Sequence, residues 1–437
     1  MWLVERMVGR VALVPRDIAP HETTLLPSEV RRALKLSLAE GMLAQVHITL
    51  TAGAFLTGLA LMLGAGNLTL GLITALPFVI QPLQLLGAWL IERQGRRKPL
   101  TVLGSLGRAV WLVVILLPYL PFGTTQRLAL LVTTLSVSHA LLTICANAWT
   151  NWMTDLVPTR LRGRYFGTRN TVLAAVAMVA NYAGGAWLDR MRVAGELAHG
   201  YALMLGLAVL CGACSTLLLA RQPEPPMARL PRLPLREVIC LPFRHPEFRR
   251  FMAVLVLWNL ALGTSAPFFG AHALTVLGIS FATLAMFDVI TSAVSLLTLP
   301  WWGRLSDRIG HRRVLLICMA LVVLLPWSWI LATPDTLWIL FLNAVLAGIG
   351  WPGVGLAQGN RLLERAPATA RSAYLAIFAA ATGLAFFVAS TGAGALADLL
   401  AGVPWRLGPL TLNEYQTTFV LSSLLRGSAV LLGRRWL

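Results

Sequence analysis

Twelve stretches of about 20 apolar residues, each long enough to span a hydrocarbon core roughly 30 Å thick, dominate this 437-residue chain. They fall at 42–63, 68–91, 99–120, 128–150, 168–188 and 200–220, then at 251–272, 280–302, 314–332, 336–357, 373–396 and 415–433. In lipid every backbone amide and carbonyl must find a partner within the protein, and a helix satisfies its own. The expected fold is therefore an all-α polytopic membrane protein with twelve transmembrane helices. Composition agrees: 57% of residues are hydrophobic and 12% charged, against about a quarter charged in soluble domains. Five cysteines, sparse and odd in number, exclude a disulfide scaffold.

The net charge of +18 would suggest nucleic acid in a soluble protein. Placed on a twelve-span chain, thirty of the 36 basic residues fall on one side, counting Arg169 at the very start of the fifth span with its loop, four on the other, and Arg108 and Arg426 inside spans. The positive-inside rule then puts both termini in the cytoplasm, at the cytoplasmic (inner) membrane, and nucleic-acid binding becomes unnecessary. The expected organisation is a cytoplasmic tail and interfacial helix at 1–40, a six-helix bundle at 41–220, a Pro- and Arg-rich cytoplasmic linker at 221–250 and a second six-helix bundle at 251–437. The interfacial helix is read from the helical periodicity of residues 28–40 with Arg31, Arg32 and Lys35.

The halves repeat. Asn151, Asp155, Pro158, Arg162 and Tyr165 recur at a constant offset as Asn360, Glu364, Pro367, Arg371 and Tyr374, and the same offset pairs Gly185 with Gly394 and Asp189 with Asp398. After the second span, Glu92 to Arg97 (ERQGRR) answers Asp307 to Arg312 (DRIGHR) after the eighth.

The run Gly303-Arg-Leu-Ser-Asp307-Arg308-Ile-Gly310-His-Arg312-Arg313 resembles the loop signature of the major facilitator superfamily. The copy after the second span departs from it, with Glu92 for the Asp and Ala88 for the leading Gly. The resemblance covers 41–433 and implies two six-helix repeats around a central pathway, an alternating-access carrier, and a loop that pairs with the acid at the end of helix 4 or 10 to brace one state. Carried over, Glu92, Arg93 and Arg96 would cluster with Asp155 and Arg162, and Asp307, Arg308 and Arg312 with Glu364 and Arg371; Gly95 and Gly310 allow the turn. The alternative is that these arginines only enforce topology, which needs cations but not acids at fixed spacing.

Ionisable groups inside spans are costly and tend to be functional. Asp288 in the eighth span is the first candidate for proton or cation coupling, with a structural pairing as its alternative. Arg108, in the third span, and Arg426, in the twelfth, need partners. Helices 1, 4, 7 and 10, which line the cavity in proteins of this resemblance, carry Gln45 and His47, His139 and Asn147, Asn259, and Asn343; each could bind a ligand or only bond a neighbouring helix. The glycines around Pro352 fit a hinge or close packing, and Cys211-x-x-Cys214 fits small-residue packing rather than a redox or zinc site.

No nucleotide-binding loop is present in the sequence, which points away from ATP-driven transport, and no nucleophile triad or metal cluster, which points away from an enzyme; no cofactor is expected. The expected function is a secondary active permease that moves a small solute by alternating access. The resemblance implies coupling to an ion gradient, with the proton as coupling ion, and a monomer as the family default. The expected partners are a small molecule, a proton and the lipid bilayer. One alternative is a drug or organic-cation efflux pump, disfavoured because spans 1, 2, 4 and 5 show no acid clear of their ends. Another is a non-transporting assembly factor, lipid handler or sensor of the same fold.

Overall fold

A computed structural model of the chain describes residues 27–226, 243–367, 371–403, 405–407 and 410–437. The tail before residue 27 and most of the 221–250 linker lie outside the described residues. In chain order the helices are α1 (Pro27–Leu50), α2 (Gly53–Met62), α3 (Asn67–Ile80), α4 (Leu83–Gln94), α5 (Lys98–Ser105), α6 (Trp111–Leu116), α7 (Thr124–Leu156), α8 (Arg162–Val193) and α9 (Leu197–Ala220). They continue as α10 (Pro246–Ser265), α11 (Phe268–Thr275), α12 (Phe281–Ile309), α13 (His311–Val323), α14 (Leu325–Leu331), α15 (Trp338–Arg365), α16 (Arg371–Leu400) and α17 (Glu414–Trp436). A two-stranded antiparallel ribbon, β1 (Trp405–Leu407) with β2 (Leu410–Leu412), pairs Trp405 with Leu412 and is the one departure from an all-helical chain among the described residues.

Ten of the described helices or helix pairs are long and apolar enough to cross a membrane, and the broken pair α1–α2 makes an eleventh. The twelfth expected span is α17, whose Arg426, Arg434 and Arg435 lower its hydropathy. The expected interfacial helix at 28–40 is not a separate element. It is the first half of α1, because the apolar stripe Val30, Ala33, Leu34, Leu38 runs straight into the span and is buried, while Arg32 and Lys35 face outward.

The chain divides into two compact units, and the division cuts helices. The first unit takes Met1–Ala52 and Leu83–Pro231; the second takes Gly53–Pro82 with Arg232–Leu437. In the first, α1 packs on α8 and α9, and α7 packs on α4 and α5. Trp152, Met153 and Leu156 of α7 pack with Ala33 of α1, while Tyr165 of α8 donates its hydroxyl to the Leu34 carbonyl at 3.2 Å. In lipid, helices associate by close van der Waals contact rather than by escape from water, and Gly104 shows it: a Cβ there would stand 2.7 Å from the Leu141 carbonyl oxygen.

In the second unit, Phe248 and Trp258 of α10, Trp302 of α12, Cys318 and Met319 of α13 and Tyr374 of α16 share one buried cluster. Helix α15 runs unbroken through Pro352. Proline has no amide to give the carbonyl four residues back, and here Thr298 Oγ1 at 2.9 Å and Ser295 Oγ at 3.3 Å reach the freed Gly348 oxygen from α12. Gly348 and Gly353 pack closely against α12 and α13, while Gly355 faces open space.

Candidate functional site

The first unit buries a cluster of charge. Glu40 and His47 come from α1, Arg108 from the 3-10 turn Leu106–Arg108 that follows α5, Arg169 from α8 and Ser215 from α9. Ser215 sits at its centre, donating to Glu40 Oε1 at 2.9 Å and accepting from Arg108 Nη1 at 3.0 Å. The ion pairs are longer: Arg108 Nη2 is 3.8 Å from Glu40 Oε1, and Arg169 Nη2 is 3.7 Å from Glu40 Oε2. The Arg169 guanidinium also lies over the Trp149 ring, 4.5 Å from its centroid. Glycine makes room twice: Gly41 yields its side-chain space to the Arg169 guanidinium, and a Cβ on Gly212 would stand 2.9 Å from Arg108 Cβ.

Two guanidinium groups thus face one carboxylate, with Glu40 3% and Arg108 7% exposed. Glu40 Oε2, Arg108 Nε and Arg169 Nε are buried without a hydrogen-bond partner among the described residues. Such a carboxylate is held between opposing effects, desolvation against two nearby cations and a hydroxyl donor. His47, 1% exposed, adds Nδ1 within 3.1 Å of the Ala208 carbonyl and meets Trp111 edge-on at 6.0 Å.

An interfacial helix ending at residue 40 would leave the first span without an acid. The structure corrects this by placing Glu40 inside the bundle, and the argument drawn against organic-cation export falls with it. The signal is present in the sequence. Positions 30, 33, 34, 37, 40, 44 and 47 form one helical stripe, and all seven are buried, so a Glu on that stripe faces the bundle interior.

The loop signatures also pair with the helix-end acids, through other residues than expected. After α4, Arg97 rather than Arg93 or Arg96 meets Asp155, at 2.6 Å. Glu224 Oε1 accepts from the amides of Arg97 and Lys98, the latter at 3.1 Å. Arg93 and Arg96 are exposed, Arg93 over the Trp89 ring; Glu92 is half-buried. Arg162 donates to the Thr154 and Val157 carbonyls instead of joining the loop. In the second copy His311, which aligns with Arg96, is 3.5 Å from Glu364, and Arg361 is 2.8 Å from the same carboxylate. Arg312 donates to the Arg434 carbonyl at 2.6 Å. Asp307 and Arg308 are exposed and enter no ion pair among the described residues, and the Arg371 side chain lies outside them. Gly95 at φ +64° and Gly310 at φ +87° make the turns, with Gly303 one helical stretch earlier on α12.

The remaining candidates divide. Asn343 donates to the Leu325 carbonyl at 2.9 Å and to Ser328, and Asn259 to the Leu255 carbonyl at 2.8 Å, so both bond within the helix packing. Gln45 bonds Thr49 at 3.3 Å, the Asn147 carbonyl accepts from Asn151 at 2.9 Å, and His139 is half-buried. Asp288 is exposed on α12. Arg426, 2% exposed, donates to the Val322 carbonyl at 3.1 Å and to Ser265 at 2.9 Å. Cys211 and Cys214 are free thiols.

Repeated halves of apolar helices long enough to cross a bilayer, with ionisable groups sealed among them, make an integral membrane protein built as two copies of one plan. Residues 41–287 and 260–437 each match the Major Facilitator Superfamily, and the chain belongs to that family of integral membrane transporters. Similar solved structures include a point mutant of the nucleoside transporter NupG, with 12% identity, a TM-score of 0.71 and 92% of this chain covering 99% of that one. The D-xylose-proton symporter has 15% identity and a TM-score of 0.68, with 94% and 98% covered. A bacterial homologue of the iron transporter ferroportin, in an inward-facing state, has 13% identity and a TM-score of 0.68, with 94% and 99% covered. No curated protein matches the chain.

Proposed function

We propose that this transporter moves a small solute by alternating access, driven by a proton gradient, in the cytoplasmic membrane with both termini inside. The observation that carries the coupling is Glu40, buried between Arg108 and Arg169 with Ser215 as its only hydrogen-bond donor among the described residues. Protonating it would remove the one negative charge that balances two buried cations, so the proton and the packing of α1, α8 and α9 are linked. Gln45, Asn147 and His139 are the polar groups proposed to meet substrate. The nucleoside and xylose-proton transporters among the similar structures support a small polar solute.

A cleft of about 810 Å³ favours a second reading, lipid handling. It is lined by apolar residues of α1, α8 and α9, among them Met42, Val46, Val179 and Leu207. The test is uptake into proteoliposomes under an imposed pH gradient, with nucleosides, sugars, organic anions and drug cations offered in turn. One class should accumulate only with the gradient, and Glu40→Gln should abolish accumulation while leaving exchange of that solute. Accumulation at the native level in Glu40→Gln would remove Glu40 from coupling; failure of every class would favour lipid handling.

A further inference from the structure

The first span is broken about halfway and bent there by 41°, and the second, which runs on from Asn67 to Gln94, carries a short turn near its own middle. The break lies between Leu50 and Gly53, where Gly53 takes φ +58°, and the turn at Gln81–Pro82 between α3 and α4. Both coincide with the boundary between the compact units, so the hairpin Gly53–Pro82 belongs with the second half of the chain. Its attachment is to α16, and it is tight. A Cβ on Gly71 would run into the Ser390 carbonyl oxygen; one on Gly383 would stand 2.5 Å from that of Phe78, and one on Gly394 2.7 Å from that of Asn67. Ser390 Oγ donates to the Gly71 carbonyl at 2.7 Å, and Phe78 stacks on Phe386 at 3.9 Å.

The end of this contact carries a charge. The first amides of a helix need acceptors, and the residue preceding α3 is Gly66, which has no side chain to offer. Asp398, near the end of α16, replaces it: its two oxygens accept from the Asn67 and Leu68 amides, each at 3.0 Å. A carboxylate at a helix N-terminus gains from the helix dipole as well as from two charge-assisted hydrogen bonds.

We propose that Gly53–Pro82 is a hinged gate at the end opposite the basic loops, and that Asp398 is its latch. The break and the turn let the hairpin stay with α16 or return to α1 and α4, and the latch sets how long it stays. This rests on the alternating-access reading, but its test needs no substrate. In a chain freed of its native cysteines, Ala75, fully buried on α3, is changed to Cys and labelled from outside in intact cells with a membrane-impermeant maleimide. Asp398→Asn should raise the labelling rate on the order of tenfold, the effect of losing charge-assisted bonds to the closed state. Ser390→Ala should raise it less. A Gly66→Cys/Asp398→Cys pair, oxidised to a disulfide, should return labelling of Ala75→Cys to the low level in the same chain, and reduction should restore it, the label being counted on the peptide that carries residue 75 because the two freed thiols also react. Rates unchanged by both Asp398→Asn and Ser390→Ala would overturn the latch, whether or not transport is ever observed; should Asp398→Asn fail to insert, the Ser390→Ala and disulfide results decide alone.

Discussion

Glu40 and Arg169 stand 3.7 Å apart, beyond hydrogen-bond length, although the side chains are only 4% and 11% exposed. Burying charges at that separation is unfavourable unless each is needed by the others, since removing one partner of a buried ionic group costs about 3–5 kcal/mol. Glu40→Ala, which strands two cations, should therefore destabilise the protein more than Arg169→Gln, which leaves one cation for one acid. Thermal unfolding in detergent reads this order, and the double variant Glu40→Gln/Arg108→Gln should be more stable than the sum of its singles. Additive effects would show that the groups do not act as a cluster.

The contact between Arg97 and Asp155 is asymmetric, with the guanidinium 2% and the carboxylate 48% exposed. Asp155→Asn leaves a buried cation with weaker acceptors, a loss of about 1–3 kcal/mol. Arg93→Gln and Arg96→Gln, at exposed positions, should change stability by less than about 0.5 kcal/mol. Unfolding temperatures of the three variants separate the paired Arg97 from the two exposed arginines.

What is legible in the sequence follows from periodicity and charge. Twelve apolar runs, the one-sided arginines and the repeat pairing Asp155 with Glu364 lead to the fold and the family. The partners of those acids are not legible, because a loop of adjacent arginines offers several candidates and only the turn at Gly95 decides that Arg97 points inward. Glu40 is lost to a boundary: a hydropathy window drops a segment rich in Arg31, Arg32 and Lys35, although the buried stripe continues through it. The break at Gly53 and the turn at Pro82 carry no local signal strong enough to read, since an isolated Gly or Pro is tolerated in membrane helices when neighbours satisfy the backbone.

Asp288 and Glu40 make opposite claims on coupling. Asp288 is exposed on α12, whereas Glu40 is buried, so Asp288→Asn should keep pH-driven accumulation of the solute that the native protein accumulates, with at most a change in apparent affinity. Loss of accumulation in Asp288→Asn with retention in Glu40→Gln would transfer the coupling role to Asp288.

Pro352 and Thr298 form a compensating pair. The Thr298 hydroxyl has one proton and lies 2.9 Å from both the Gly348 and the Val294 carbonyls, but only Gly348 lacks its helical amide, because residue 352 is proline. Thr298→Val should cost about 1 kcal/mol by leaving that carbonyl short of a donor. With Pro352→Ala the helix can supply its own amide to Gly348, and the same Thr298→Val change should then cost about half as much or less. The four proteins of this cycle, compared by thermal unfolding, give the coupling directly; equal costs in both backgrounds would mean that Ser295, 3.3 Å from the Gly348 oxygen, already satisfies it.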